Sequence, residues 1–174
     1  MKFRNFLKKK KIEYYAGSEN NVLLRYFETA TKYKADIIVR ITGDSIIIDP
    51  TLIDNFIKIF KKKKIDYLSN THPATFPDGL DIEIFDFKTL KKTNNEAKNL
   101  FDREHVTTFI KDSKKFKRYN IEFKENLSKL RWSLDEEIDL KCKQLGNEEF
   151  LENLNKILEK ESLDYNESKS QEIL

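Results

Sequence analysis

The sequence predicts an α/β fold in which a largely parallel sheet is flanked by helices. Three observations carry that expectation. Strand-like and helix-like segments alternate along the 174 residues. Ala35 to Ile41 sets Ile37, Ile38, Val39 and Ile41 almost side by side with no breaker, the pattern of a strand buried on both faces. Asp49 and Pro50 then open an amphipathic segment, as an N-cap followed by a proline at the first helical position.

The elements follow in order. Met1 to Lys11 reads as a helix with Phe3, Phe6 and Leu7 on one face, Ile12 to Tyr15 as a short strand, and Gly17-Ser18 as a turn. Asn21 to Lys34 is a second helix, with Leu23, Leu24, Phe27 and Ala30 inward. The central strand comes next, then a helix from Pro50 to Lys62 whose inner face is Leu52, Ile53, Phe56, Ile57 and Phe60. Ile65 to Ser69 is a strand, and Pro77-Asp78-Gly79 a turn. Leu80 to Phe85 alternates strictly: Leu80, Ile82 and Ile84 share one face, Asp81 and Glu83 the other. Helices are expected near Phe87 to Lys98 and Asp102 to Lys111, strands at Lys117 to Phe123 and Lys129 to Leu134, and closing helices at Glu136 to Gln144 and Glu148 to Lys160. One domain is expected over residues 1–160, with the polar residues 161–174 as a loosely held tail.

Composition narrows the function. The 33 Lys+Arg and 30 Asp+Glu leave a net charge of +3, which argues against nucleic acid as a partner. The runs Lys8 to Lys11 and Lys61 to Lys64 close predicted helices, where cations favour the dipole, and read as solvated faces. Cys142 is the only cysteine, so intrachain disulfides and Cys-rich metal sites are excluded. No segment is long and apolar enough to span a membrane, and no apolar run follows the charged amino terminus; a cytoplasmic protein without a membrane partner is expected.

The most telling stretch is Arg40-Ile41-Thr42-Gly43-Asp44. It places Asp44 just past the carboxyl end of the central strand, the edge of an open α/β sheet where ligands bind. A carboxylate there is placed to hold magnesium on a nucleotide, and Asp49, already used as a cap, leaves Asp44 without a structural task. The chain has four glycines, Gly17, Gly43, Gly79 and Gly146, and none lies in a Gly-rich strand-to-helix loop that cradles phosphate. It also opens on a helix rather than a strand, as though an upstream portion were missing.

Five segments in order resemble one enzyme family. They are Gly17-Ser18-Glu19-Asn20-Asn21-Val22-Leu23 with Arg25-Tyr26; Arg40-Ile41-Thr42-Gly43-Asp44; Ser69-Asn70-Thr71 with Pro77-Asp78-Gly79-Leu80-Asp81-Ile82-Glu83; Asp102-Arg103-Glu104-His105-Val106-Thr107; and Leu130-Arg131-Trp132-Ser133-Leu134-Asp135. Together they resemble the cytidylyltransferases of the spore-coat polysaccharide type, relatives of the CMP-Kdo and CMP-acylneuraminate synthetases. The resemblance covers about Ile12 to Leu140.

It implies a Rossmann-like α/β/α sandwich of the nucleotide-diphospho-sugar transferase type, and a reaction joining a sugar, expected to be acidic, to CTP with release of pyrophosphate. It implies that Asp44 and Asp135 hold Mg2+. Substrate-binding roles fall on Arg40, Asn70, Thr71, Asp78, Asp81, Glu83, Arg103 and His105, and a homodimer is expected. The residues themselves leave alternatives open. Asp135 before Glu136-Glu137-Ile138 is also a good N-cap, as is Asp102. Asp81 and Glu83 fit a solvated strand face as well as sugar hydroxyls or a second metal. Arg40 fits an internal ion pair as well as a substrate contact, and Arg103 a capping and salt-bridge role. His72 reads as a loop histidine and Trp132 as core.

The chain departs from the family pattern in one decisive place. The signature loop Leu-x-Ala-Arg-x-x-Ser-x-Arg-Leu-Pro-x-Lys, which grips the triphosphate, is absent. Ser45-Ile46 also replaces Cys-Pro or Ser-Pro, and Glu136-Glu137-Ile138 replaces Thr-Pro-Glu. The expectation is therefore an N-terminally truncated cytidylyltransferase domain, inactive alone. The alternatives are a non-catalytic remnant or a subunit of a split enzyme, either keeping dimerisation and sugar-binding surfaces.

Overall fold

The computed structural model describes residues 2–134 and 172–173. The elements are α1 (Lys2–Lys9), α2 (Val22–Tyr33), β1 (Ile37–Arg40), α3 (Pro50–Lys62), β2 (Tyr67–Ser69), β3 (Glu83–Asp86), α4 (Phe87–Glu96), α5 (Leu100–His105), α6 (Thr108–Asp112), β4 (Arg118–Asn120) and β5 (Glu172–Ile173). The strands form one sheet of order β1-β3-β2-β4-β5. It is mixed: β2 and β4 pair in parallel, with Tyr67 opposite Arg118 and Ser69 opposite Asn120, whereas β4 and β5 are antiparallel. No helix among the described residues is long and apolar enough to cross a membrane.

Contacts divide the chain into two compact units, residues 1–38 with 85–115, and residues 39–84 with 116–174; the divisions fall inside β1 and β3. In the first unit Leu23 and Leu90 are fully buried, and Phe27 stacks on Phe87 with centroids 5.8 Å apart. Asn21 caps α2 by accepting from the Leu24 N–H at 3.0 Å, and Asp86 caps α4 by accepting from Thr89 at 2.7 Å. Two helix ends use lysine in the left-handed region where glycine is usual: Lys11 at φ 55° after α1 and Lys34 at φ 50° after α2.

The segment 102–111, expected as one helix, is two. Asn99, not Asp102, is the N-cap of α5 and accepts from the Asp102 N–H at 2.7 Å. Val106 then breaks the helix at φ 69°, ψ −56°, and the Thr107 N–H donates to the His105 carbonyl at 2.7 Å, a tight γ-turn. Asp102 is buried and accepts from the Thr108 hydroxyl, which ties α6 back across the break.

In the second unit, α3 begins as expected: Asp49 accepts from the Thr51 N–H at 2.8 Å with Pro50 at the first turn. Leu52, Phe56 and Phe60, four residues apart, are its buried stripe. Phe56 meets Phe76 edge-on at 6.1 Å, and Phe76 meets Phe123 at 5.3 Å. Each such buried side chain contributes about 1.5–3 kcal/mol before entropy is counted.

Two expected strands are absent from the sheet. Residues 12–15 carry no strand pairing, and of 129–134 only Arg131 makes an isolated bridge, to Asp78. The expected strand Leu80–Phe85 is shifted to Glu83–Asp86, and its alternation does not sort the two faces: Ile82, Glu83, Ile84 and Phe85 are all buried. The expected helices at 136–144 and 148–160, with Asp135 and Cys142, lie outside the described residues. Of the expected loose tail only Glu172 and Ile173 are described, and they pair with β4.

Candidate active site

The five sequence segments sort into two groups, one in each unit. Segments one and four belong to the first unit. Ser18 Oγ accepts from the Asn21 N–H at 3.0 Å, and Arg25 Nη1 donates to the Ser18 carbonyl at 2.7 Å. Arg103 then reaches Asn21 Oδ1 through Nε at 3.0 Å, the Asn94 carbonyl through Nη1 at 2.7 Å and Asn94 Oδ1 through Nη2 at 2.9 Å. All three guanidinium nitrogens are engaged, so Arg103 is a brace between the start of α2 and the end of α4 rather than a hand held out to substrate. His105 is exposed and packs on Phe101, centroids 4.2 Å apart. Beside them Leu100 is 85% and Phe101 61% exposed.

Segments two, three and five belong to the second unit and interlock there. The Asp44 loop is closed by the Ser45 N–H donating to the Thr42 carbonyl at 3.2 Å, and by Thr42 Oγ1 and Ser45 Oγ 3.1 Å apart. Ser45 is buried, so the loop has a fixed base. The Asp44 carbonyl accepts from Leu134 at 3.0 Å, which brings the residue before Asp135 onto this loop. The carboxylate is half-buried, and its Oδ1 is shut from solvent with no hydrogen-bond partner. A carboxylate oxygen held in that way incurs a desolvation cost that a cation would offset, so the donor chemistry fits a hard divalent ion. Above Gly43 there is open space: an added Cβ meets nothing within 4 Å.

The turn in segment three pins segment five. The Asp78 N–H donates to the Leu130 carbonyl at 2.9 Å, the Trp132 N–H to the Asp78 carbonyl at 2.6 Å, and Ser133 Oγ to Asp78 Oδ2 at 2.9 Å. Gly79 is required here twice over. Its φ is +99°, and a Cβ would lie 2.5 Å from the Ser133 nitrogen and 2.6 Å from the Trp132 carbonyl carbon. Asp78, expected to bind substrate, therefore splices two chain segments. Asn70 is likewise committed: Nδ2 donates to the Leu80 carbonyl and Oδ1 accepts from Ile82, both at 2.9 Å, in a position 1% exposed. Thr71 is half-buried and bridges Ala74 around the cis His72–Pro73 bond; Asp81 is also half-buried.

Glu83 shows why sequence alternation misled. It is 1% exposed, pairs with Arg40, and accepts from the Tyr67 hydroxyl at 2.5 Å. Burial, and then the neighbouring Glu83 charge and hydrogen bond, hold the Tyr67 hydroxyl well above its ordinary range, so it stays a neutral donor. Of the two readings for Arg40, the structure shows the internal ion pair. Glu83 is neither a solvated face nor a free ligand.

Two contributors went unseen in the sequence, Tyr67 and Asn120. Asn120 Oδ1 accepts from Ser69 Oγ at 3.1 Å and the His72 N–H at 3.0 Å, while Nδ2 donates to the Pro73 carbonyl at 3.0 Å. The available signal is an amide set between the apolar Tyr119 and Ile121 in an expected strand. Among the described residues no cluster of three or more His, Cys, Asp or Glu is arranged to hold a metal; Asp135 lies outside them.

Comparison with known proteins agrees with the segments. A cytidylyltransferase family profile matches residues 1–170. The chain is 35% identical over 133 residues to an uncharacterized protein of Methanocaldococcus jannaschii, covering 75% of this chain and 54% of that protein. It is 29% identical over 118 residues to the spore coat polysaccharide biosynthesis protein SpsF of Bacillus subtilis, covering 67% of this chain and 47% of that one. A solved cytidylyltransferase from Leptospira borgpetersenii superposes with a TM-score of 0.77 at 31% identity, over 83% of this chain and 63% of the other. The chain thus spans about half the length of the curated relatives it matches. On the match across 170 residues and the shared fold, the chain belongs to the cytidylyltransferase family.

Proposed function

We propose that this chain carries the metal-holding part of a CMP-sugar-forming cytidylyltransferase for surface polysaccharide, an enzyme acting in the cytoplasm on CTP and an acidic sugar. The observation that carries the proposal is the buried, partnerless Oδ1 of Asp44. Asp44 and Asp135 are the residues that would hold magnesium, and the Leu134 to Asp44 backbone bond supports their pairing. When bound, magnesium supplies positive charge against the triphosphate oxygens. The chain's own part is to keep the Asp44 carboxylate fixed on a closed loop, with Asp78 and Gly79 anchoring the segment that leads to Asp135. In the reaction a sugar hydroxyl oxygen would bond to the α-phosphorus and lose its proton to solvent, while the bond from the α-phosphorus to the oxygen bridging to the β-phosphate breaks and pyrophosphate leaves. Binding of manganese, a stand-in for magnesium, tests the site by water-proton relaxation. Asp44→Asn is expected to weaken it by more than about tenfold, since loss of even an outer-shell partner costs that much; equal affinity in the variant would refute the assignment.

A second reading, which the exposed Leu100 and Phe101 favour, is a subunit of a split enzyme, or a remnant, that keeps its pairing surface. Both readings include a homodimer, and the exposed Leu100 and Phe101 beside His105 support one. Light scattering at micromolar concentration is expected to give a dimer mass, and Phe101→Glu a monomer. A wild-type monomer would count against the pairing.

A further inference from the structure

None of the site residues above lies on α1, yet among the described helices of eight or more residues it has the sharpest division between apolar and charged sides. Phe3, Phe6 and Leu7 fall on one face at the spacing of three and four residues, with Phe3 70% and Phe6 51% exposed and their rings stacked at 6.4 Å. Ile12, 51% exposed, follows directly. The helix end returns through the Ile12 N–H donating to the Leu7 carbonyl and the Lys11 N–H to the Lys8 carbonyl, both at 3.0 Å, a closure that sets Ile12 beside Leu7. Arg4, Lys8, Lys9, Lys10 and Lys11 are all exposed, and the first acidic residue of the chain is Glu13.

We propose that α1 is an interfacial anchor that lies on an anionic lipid surface, its phenyl rings in the acyl boundary and its lysines among the headgroups. The argument is complementarity on both counts at once. A second copy of this helix would cover the rings but bring five exposed cations against five, with no acidic side chain in the segment to answer them. A free polyanion would satisfy the cations and leave the apolar face wet. An anionic membrane interface takes both, and a short helix with low overall hydrophobicity, lysines on one face and phenylalanines on the other has the form such anchors have. Eight residues span about 12 Å, so the helix lies in the interface and does not cross it.

Flotation of the full chain with vesicles tests this. Binding is expected to vesicles in which about a third of the phosphatidylcholine is replaced by phosphatidylglycerol, to fall as salt is raised, and to be absent with phosphatidylcholine alone. Lys8→Glu with Lys9→Glu, and separately Phe3→Ser with Phe6→Ser, are each expected to lower the partition coefficient by at least about tenfold. The four positions are exposed, so circular dichroism should show both variants folded. Partition indifferent to headgroup charge, or unchanged in either variant, would overturn the proposal. So would a drop from dimer to monomer in the Phe variant by light scattering, which would give this face to a second copy.

Discussion

Replacing Arg40 by methionine is expected to destabilise the second unit by about 3–5 kcal/mol, because it strands the Glu83 carboxylate without its cation. The Glu83 side chain is 2% exposed and that of Arg40 21%, so water cannot substitute for the guanidinium at the carboxylate. The partial exposure of Arg40 places the expected loss toward the lower end of that range. Tyr67 continues to donate to Glu83 but supplies no charge. Adding Glu83→Gln to Arg40→Met is expected to recover a good part of the loss, since the amide still accepts from Tyr67 and no longer needs a counter-ion. Urea unfolding of the wild type, both single variants and the double variant gives the coupling directly. A loss below about 1 kcal/mol for Arg40→Met would mean that the pair behaves as an exposed one.

The parts of this fold legible in the sequence are those fixed by local chemistry. Asp49-Pro50 started α3 where expected because a cap and an N1 proline act within one turn. Pro77-Asp78-Gly79 was a turn because only glycine takes φ +99° readily. The misreadings share a different cause. Lys129 to Leu134 reads as a strand in the sequence, yet Leu130 is 42% exposed and Ser133 is buried, with its hydroxyl donating to Asp78, 55 residues away. Alternation with apolar residues leaves Glu83 open between a solvated face and a ligand to sugar or metal; it is neither, because it pairs with Arg40, 43 residues distant. The resemblance implies a substrate role for Arg103, and the residues alone also allow a capping and salt-bridge role; the cap is Asn99, and the arginine turns back to Asn21 and Asn94. Long-range pairing of polar groups leaves no periodic trace. At the candidate site the sequence singled out Asp44, while the clamps that hold its surroundings, Asn70, Asp78 and Asn120, emerge only from the hydrogen bonds they make.

The largest expected effect concerns catalysis. A nucleotidyl transfer depends on holding the α-phosphorus in line with the attacking hydroxyl, and such positioning can supply about 7–11 kcal/mol of barrier lowering. Asp44 is the proposed metal ligand, but no Gly-rich loop of backbone N–H groups lies within these 174 residues to grip the triphosphate. The exposed lysines do not replace it, because a mobile ammonium lacks the fixed geometry of such a loop. The direct measurement is pyrophosphate release from CTP, magnesium and a panel of acidic sugars, run on the wild-type chain with Asp44→Ala as control. Release at the uncatalysed background in both is the predicted result. Turnover by the wild type that vanishes in Asp44→Ala would contradict it, and would show that this chain positions the triphosphate without the signature loop.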